Sequence, residues 1–167
     1  KVNNRYFKNE QDTIFDHLHA DQYAMFLYFA ANTLFRNGAD ENLCKKIFHL
    51  NRYLHGIDVF YEVELPDVFL FIHPIGTVLG RGTYSDYLLV YQRCGVGSNR
   101  DIYPTLGEYV SLHPGATILG ASNIGDGCKI SAGSILIDKN LEANSIYIGN
   151  TIKHMIKPTS SVSQFWK

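Results

Sequence analysis

The chain has little of what disulfide scaffolds, nucleic-acid binders and membrane spans require. Only three of its 167 residues are cysteine, with no CxxC pair, so no disulfide framework is expected and a reducing cytoplasm is the default. Its 15 basic and 16 acidic side chains leave a formal charge of -1 and form no long run of one sign, which argues against a nucleic-acid partner. No apolar run approaches the ~18 residues of a transmembrane helix, so no membrane span is expected.

The start of the chain carries no charged-then-apolar signal pattern. The chain begins at Lys1 rather than with Met, so we expect either that residues before Lys1 were removed or that the sequence was trimmed there. It also contains no glycine-rich loop of the kind that holds a nucleotide phosphate. With these classes set aside, we expect a cytoplasmic protein with its own folded core.

What the chain does contain is a repeat of six residues. Apolar residues stand six apart, and small residues follow each of the first five by four positions. The apolar set is Leu106, Leu112, Ile118, Ile124, Ile130 and Leu136, and the small set is Val110, Ala116, Ser122, Cys128 and Ser134. A period of six is neither the 3.6 of a helix nor the 2 of an ordinary strand. It predicts a β-helix whose apolar residues stack inside while the small residues turn the corners.

The repeat divides the chain into three regions. Residues 57–150 are predicted to form the β-helix, in roughly five coils of ~18 residues. Within it, residues 95–103 are expected to form a loop that interrupts the repeat. Residues 1–56 are predicted to be a helical N-terminal section, and residues 151–167 a tail that folds back over the outside.

Two amphipathic helices are expected in the N-terminal section. Asp21 is expected to cap the first, and Gly38 to end it. Asp40 is expected to start the second and Gly56 to end it. The residues expected to face inward on the second helix are Leu43, Cys44, Ile47, Phe48, Leu50 and Leu54.

Several segments resemble the serine acetyltransferase family of hexapeptide acyltransferases, over about residues 50–153. They read LNRYLHGID at 50–58, FIHPIGTVLG at 71–80, ISAGSIL at 130–136, and GNTIK at 149–153, where the family has GNPAK. The resemblance implies a mainly β fold, a left-handed parallel β-helix with a short α-helical N-terminal section. It also implies acetyl-CoA as co-substrate, no metal, and a homotrimer with active sites between subunits. A dimer of trimers through the helices is left open.

The pair Asp58 and His73, fifteen residues apart, is the specific part of the resemblance. Acetyl transfer to a hydroxyl requires removal of a proton, for which a neutral imidazole suits pH 7. A carboxylate on the other ring nitrogen would fix the tautomer. The resemblance therefore implies that His73 is the general base and Asp58 its orienting partner. From spacing alone, a His73 bonded to a neighbouring carbonyl is the alternative.

Two further features complete the expected catalytic site. A backbone N–H in residues 95–98 is expected to stabilise the oxyanion. His113 follows Leu112 and points outward from its coil, as the base does in other sugar acetyltransferases of this superfamily. His113 is therefore the second candidate base.

The chain departs from the family on the acceptor side. Ile72 replaces the usual Asp before the base, and Ile102-Tyr103 replaces Arg-His, so a cation and an acid expected to bind serine are missing. The predicted acceptor pocket is therefore Ile72, Arg93 and Tyr103, with Arg100 also nearby. The flat, hydroxyl-bearing rings of Tyr103, Tyr84, Tyr87 and Tyr91 favour a sugar, as in surface polysaccharide synthesis, over serine. A catalytically idle β-helix scaffold is the alternative from another class.

The predicted cofactor-binding residues also come from the resemblance. The pantetheine arm would lie between coils of neighbouring subunits, where small residues allow close approach, and a lysine would meet the CoA phosphates. These residues are Gly97, Ser98, Pro114, Ala132, Gly133 and Lys153. A related hexapeptide family binds zinc through three histidines. Only His73 and His113 lie in the repeat region here, so a zinc site is rejected.

Overall fold

The six-residue repeat coils into a three-faced parallel β-helix of about five turns in the computed structural model, which describes residues 7–8, 12–160 and 165–166. The strands are β1 (Asp58–Val59), β2 (Phe69–Phe71), β3 (Val78–Leu79), β4 (Thr83–Tyr84), β5 (Leu88–Val90), β6 (Gly95–Gly97), β7 (Thr105–Leu106), β8 (Ser111–Leu112), β9 (Thr117–Leu119), β10 (Asn123–Ile124), β11 (Lys129–Ile130), β12 (Ile135–Ile137), β13 (Ser145–Gly149) and β14 (His154–Pro158).

The strands form three sheets, one for each face. The first face has the order β1-β3-β6-β9-β12, the second β10-β7-β4, and the third β14-β13-β11-β8-β5-β2. All pairs are parallel except β13 with β14. Leu136 stands beside Ile118, one 18-residue coil away. The predicted β-helix fold is therefore confirmed.

Both registers of the repeat lie in the core. The six apolar residues from Leu106 to Leu136 are at most 3% exposed, and the five small residues from Val110 to Ser134 at most 1%. Burial of each large apolar side chain contributes about 1.5–3 kcal/mol. The small residues fit because a corner leaves little room between adjacent coils. Cys128 belongs to this register, and all three cysteines are free and buried.

Two helices precede the coils. Helix α1 spans Ala20–Arg36 and helix α2 spans Glu41–His55. Asp40 caps α2 through a 2.7 Å bond from the Asn42 N–H, and Gly56 ends it with a left-handed φ of 61°, both as predicted. The prediction that Asp21 caps α1 is wrong, because His19 occupies the cap position and Asp21 lies inside the first turn.

The predicted inward face of α2 is partly wrong. Cys44 and Phe48 are buried, but Leu43, Leu50 and Leu54 are 41–54% exposed. A broad apolar face satisfies helical periodicity, yet α1 and the first coil cover only part of it. Within the described ranges, neither helix is long and apolar enough to cross a bilayer.

The interruption of the repeat is narrower than predicted. Gly95–Gly97 is strand β6, paired between β3 and β9, rather than loop. The inserted segment is a tight turn in which Asn99 and Ile102 exchange backbone hydrogen bonds. Arg100 and Asp101 take left-handed φ values of 53° and 59° there.

The tail returns toward the coils at two places. β14 adds an antiparallel strand beside β13, and the buried Trp166 packs with Leu70 and Leu89 on the third face. Residues 161–164 and 167 of the predicted tail lie outside the described residues.

Candidate active site

His73 lies at a corner of the β-helix, directly after β2. Its backbone has a left-handed φ of 49°, and its side chain is 78% exposed. Its carbonyl accepts a 2.8 Å bond from the Ile75 N–H. The ring is therefore open to a substrate, as a general base must be.

The carboxylate beside His73 comes from α1. Asp21 Oδ1 accepts a 3.0 Å bond from the His73 backbone N–H, and Asp21 Oδ2 lies 3.9 Å from His73 Nδ1. The second distance is too long for a hydrogen bond, so the carboxylate is anchored to the backbone of His73 and not to its ring. The Asp21 side chain is only 9% exposed, and the N-terminal turn of α1 favours its negative charge.

The contact predicted between Asp58 and His73 is replaced by another pair. Arg52 Nε lies 3.3 Å from Asp58 Oδ2, and both side chains are partly exposed. Arg52 is in the last turn of α2, close enough to take the carboxylate at the start of β1. No ion pair within 4.0 Å joins the described residues Asp58 and His73. The catalytic role predicted for Asp58 stays a prediction.

Two cavities flank His73 and Asp21, and both side chains line each of them. The first, of about 220 Å³, lies between the ends of the two helices and is called here the helix-end cavity; its lining is Ala20, Asp21, Leu54, His55, His73, Pro74 and Ile75. The second, of about 270 Å³, is lined by Phe7, His19, Asp21, Phe71, Ile72, His73 and Phe165. The predicted pocket residue Ile72 thus lies beside the predicted base.

The corner that carries His73 continues along the coils, and we call it the His73 edge: residues 73–76, 92–94, 113–115 and 131–133. Backbone hydrogen bonds join its layers, from the Arg93 N–H to the Ile75 carbonyl (3.0 Å), from the Gly115 N–H to the Gln92 carbonyl (2.9 Å), and from the Gly133 N–H to the Pro114 carbonyl (2.9 Å). The edge therefore brings together, from four successive coils, half of the residues that the sequence predicts for the site: His73, Arg93, His113, Pro114, Ala132 and Gly133.

Four other predicted site residues lie off this edge or at its end. Gly97 ends β6, and Ser98 follows it at the next corner, across the first face. Lys153 is exposed in the turn after β13, where its N–H donates to Asn150 Oδ1 at 2.8 Å. Because β13 pairs with β11, that turn extends the His73 edge by one layer. Tyr103 is 40% exposed and lines neither cavity around His73.

His113, the second candidate base, is held by its neighbours. Its ring stacks on Tyr91 with centroids 5.4 Å apart and planes at 14°. Burial, and then the charge of Lys129, lower the pKa of His113 below its usual value. The imidazole is therefore neutral at pH 7.

The pKa of His113 predicts an acid sensitivity of the fold. The unfolded chain binds the proton near pH 6.5, whereas the folded chain binds it only at lower pH, so protonation favours unfolding as pH falls below 6.5. We expect the drop in Tm between pH 7 and pH 5 to be smaller in His113→Gln than in the parent. Thermal unfolding at several pH values measures this. His17→Gln, at an exposed site, should keep the parental slope, and an equal slope in His113→Gln would contradict the assignment.

A larger cavity, of about 440 Å³, lies elsewhere in the fold. Its lining is Thr105, Gly107, Asn123, Ile124, Gly125, Asp126, Asn140, Leu141, Glu142 and Ala143. This lining offers two carboxylates but no histidine, lysine or arginine among the described residues, so we do not assign acyl transfer to it. Nor does any group of three or more His, Cys, Asp or Glu within 7–8, 12–160 and 165–166 stand ready to hold a metal ion.

Two curated proteins share sequence with this chain. The serine acetyltransferase of Synechococcus elongatus is 32% identical over 94 residues, which cover 53% of this chain and 38% of that protein. The serine acetyltransferase of Helicobacter pylori is 27% identical over 120 residues, 69% of this chain and 70% of that protein. No protein-family model matches the chain. The chain is similar in sequence to serine acetyltransferases, and it spans about two fifths of the length of the Synechococcus protein.

Solved serine acetyltransferases have the same fold as this chain. The Brucella abortus protein matches with a TM-score of 0.78 at 19% identity, over 95% of this chain and 66% of that one. Its complex with coenzyme A matches with a TM-score of 0.75 at 19% identity, over 86% of this chain and 58% of that one. The soybean protein complexed with serine matches with a TM-score of 0.72 at 23% identity, over 83% of this chain and 58% of that one. These likenesses show a shared fold, consistent with the left-handed hexapeptide β-helix.

The sequence did not reveal Asp21 as a member of this site, and it gave His55 a place near the site but no role. Asp21 stands 52 positions from His73, and its place near a helix start indicated a cap instead. His55 carries no motif, although its position three residues before Asp58 was a signal that it is close to the site. Both enter the site through the packing of the helix ends against the first coil.

Proposed function

We propose that the protein is an acetyl-CoA-dependent O-acetyltransferase whose general base is His73. The observation that carries the proposal is the His73 edge, where an exposed imidazole stands in line with Arg93, Pro114 and Gly133, which lie on the next three coils. The relationship to serine acetyltransferases supports the reaction class. The scaffold alternative has no comparable support, because the proteins that share sequence with this chain are named as enzymes.

The expected reaction needs one base and one thioester. The acceptor oxygen attacks the acetyl carbonyl while the His73 ring takes the hydroxyl proton, and the proton then leaves with the CoA thiol. Such base catalysis contributes typically ~10²–10⁴-fold. The residues proposed to hold the donor, the acetyl-CoA molecule, are Pro114, Ala132 and Gly133 along the edge, with Gly97 and Ser98 across the first face and Lys153 beside the phosphates.

We propose serine or a similar small amino alcohol as acceptor, in place of the sugar that the tyrosines favoured. Three of those four tyrosines pack against the protein itself: Tyr84 is buried, with its hydroxyl donating to the Gly80 carbonyl at 2.7 Å, and Tyr87 stacks on Tyr109 with centroids 4.2 Å apart. Tyr91 stacks on His113. The proteins that resemble this chain are named for serine as the acceptor, which does not support a sugar.

A homotrimer with sites between subunits remains part of this proposal. The first face presents exposed apolar side chains, among them Val78 at 51% and Ile135 at 40%. Apolar residues on a regular sheet surface suit contact with a second copy. Such packing would place another subunit beside the His73 edge.

The proposal is tested by thiol release from acetyl-CoA with a panel of acceptors. The purified protein is incubated with L-serine, with neutral sugars and with nucleotide sugars. We expect turnover with L-serine and none with the sugars. Turnover with a sugar alone would restore the polysaccharide acceptor, and no release with any acceptor would support the scaffold.

The Arg52–Asp58 pair gives a separate prediction. Because Arg52 holds Asp58 at 3.3 Å, we expect Asp58→Asn to lower kcat/KM less than tenfold, well short of the ~10²-fold minimum for loss of a base. Steady-state kinetics of Asp58→Asn beside Arg52→Ala measure it. A loss of ~10²-fold or more in Asp58→Asn would mean that Asp58 orients His73 during turnover, as the sequence alone implied.

A further inference from the structure

The helix-end cavity collects hydrogen-bond acceptors beside the proposed base. Asp21 contributes a buried carboxylate whose Oδ1 is used by the His73 N–H at 3.0 Å. Its Oδ2 lies 3.9 Å from His73 Nδ1, and both side chains line the cavity. The cavity measures about 220 Å³, below the usual ~300–1,000 Å³ of drug-sized sites, so it suits a small acceptor.

His55 contributes a second acceptor because its tautomer is fixed. Asn51 is buried and donates through Nδ2 to the Ala24 carbonyl at 2.9 Å. Asn51 Oδ1 therefore accepts, and its partner at 2.8 Å is His55 Nδ1, which must carry the proton. The other ring nitrogen of His55, Nε2, is left as an acceptor.

The charge state of His55 agrees with this arrangement. Burial lowers the pKa of His55, and the charge of Asp21 offsets part of the effect. The ring is neutral at pH 7, so it adds no positive charge that would repel a cation. No lysine or arginine is among the described residues that line the cavity.

We propose that the helix-end cavity binds the protonated amine of the acceptor, so that the enzyme takes β-amino alcohols through their ammonium group and does not require a carboxylate. Asp21 Oδ2 and His55 Nε2 accept from the ammonium. This inference rests on the proposed acetyl transfer. It names Asp21 and His55 as specificity residues. Ile72, which stands where the serine acetyltransferases usually have Asp, has no side-chain acceptor for an ammonium group.

The same contacts select the atom that is acetylated. An ammonium bound to a carboxylate has no lone pair, so the amine is not the nucleophile. The neighbouring hydroxyl loses its proton to the His73 ring, its oxygen bonds to the acetyl carbon, and the CoA thiol departs with the proton. The product is the O-acetyl ester.

Three acceptors separate recognition of the amine from recognition of the carboxylate. L-serine carries both groups, ethanolamine only the amine, and 3-hydroxypropionate only the carboxylate. We expect thiol release with L-serine and ethanolamine at comparable kcat/KM, and none above background with 3-hydroxypropionate. Release with 3-hydroxypropionate that equals or exceeds that with ethanolamine would overturn the proposal.

Two variants test the residues. Asp21→Asn keeps an oxygen for the His73 N–H but loses the charge, and His55→Phe keeps the ring shape but loses Nε2. We expect each to raise KM for ethanolamine, by ~10- to 100-fold in Asp21→Asn, as for loss of a charge-assisted hydrogen bond, while KM for acetyl-CoA is unchanged. Glu41→Gln changes the first-turn acid of the neighbouring helix and should match the parent.

The outcomes distinguish this inference from the proposed function. If L-serine and ethanolamine are used but Asp21→Asn and His55→Phe keep the parental KM, acetyl transfer stands and the ammonium site is wrong. If a neutral sugar is used and the amines are not, the ammonium site is also wrong. If no acceptor releases thiol, the proposed function itself fails. Thermal unfolding of each variant checks that it is folded.

Discussion

Replacement of His73 by alanine is expected to lower kcat/KM for acetyl transfer by ~10²–10⁴-fold, the usual contribution of a general base. The ring is 78% exposed and lies between two cavities, so it is placed to reach a hydroxyl. Because Asp21 bonds the backbone and not the ring of His73 at 3.0 Å, the alanine variant keeps its anchoring to α1. Thiol release under saturating acetyl-CoA measures the loss.

His113→Ala is the matched control for this loss. His113 is the other histidine of the His73 edge, yet its ring is stacked on Tyr91 rather than open to a cavity. Its replacement should leave turnover near the parental value. Loss of turnover in His113→Ala with retention in His73→Ala would move the base to His113 and contradict the assignment.

Replacement of Ile118 by alanine is expected to lower the free energy of unfolding by about 2–5 kcal/mol. Ile118 is fully buried and stands between Val96 on one coil and Leu136 on the next. Its loss would leave a cavity in the middle of the stack, where adjacent coils cannot collapse without breaking their ladders. Urea unfolding followed by circular dichroism measures the change through the midpoint and slope.

Ile135→Ala removes the same atoms from the outside of the same face. Ile135 is 40% exposed and belongs to β12, the strand beside that of Ile118. In the isolated subunit, where this side chain is at the surface, its replacement is expected to change stability by no more than about 0.5 kcal/mol, as usual for surface positions. Equal losses in the two variants would contradict the inward and outward assignment of the repeat.

The fold could be predicted because the repeat states the same local geometry several times. Each coil adds 18 residues, so the contact between Ile118 and Leu136 is set by the repeat alone and does not depend on the packing of the helices. The corner positions of the strict repeat follow from the same period, so Pro114 and Ala132, which are 18 residues apart, align on one edge. His73 joins that edge across the inserted turn, which the period does not encode. Short-range signals also held for α2, whose ends at Asp40 and Gly56 are set by a cap and a left-handed turn.

The details of the site depended on packing that no spacing encodes. Asp21 reaches His73 only because α1 docks its first turn against the coil that follows β2. Arg52 forms an ion pair with Asp58 because the end of α2 lies beside the start of β1. The apolar pattern of α2 did not reveal that Leu50 and Leu54 remain exposed, since periodicity describes a face and not what covers it.

The tyrosines illustrate why residue type alone misled the acceptor prediction. Exposed tyrosines suit a sugar, but Tyr84 is buried with its hydroxyl satisfied at 2.7 Å. Its burial raises its pKa, as expected for a core phenol. The choice of acceptor therefore rests on the charges around His73 rather than on aromatic surface.

The most direct test of acetyl transfer at the His73 edge uses acetyl-CoA labelled with carbon-13 at the acetyl carbonyl. The protein, L-serine and labelled donor are mixed, and the carbonyl resonance is followed by NMR beside the same mixture with His73→Ala. The account predicts that the thioester resonance is replaced by that of an ester, with one thiol released for each ester formed, and that His73→Ala leaves the thioester intact. A thioester that persists with the parent protein, or a label that appears only as free acetate, would contradict it.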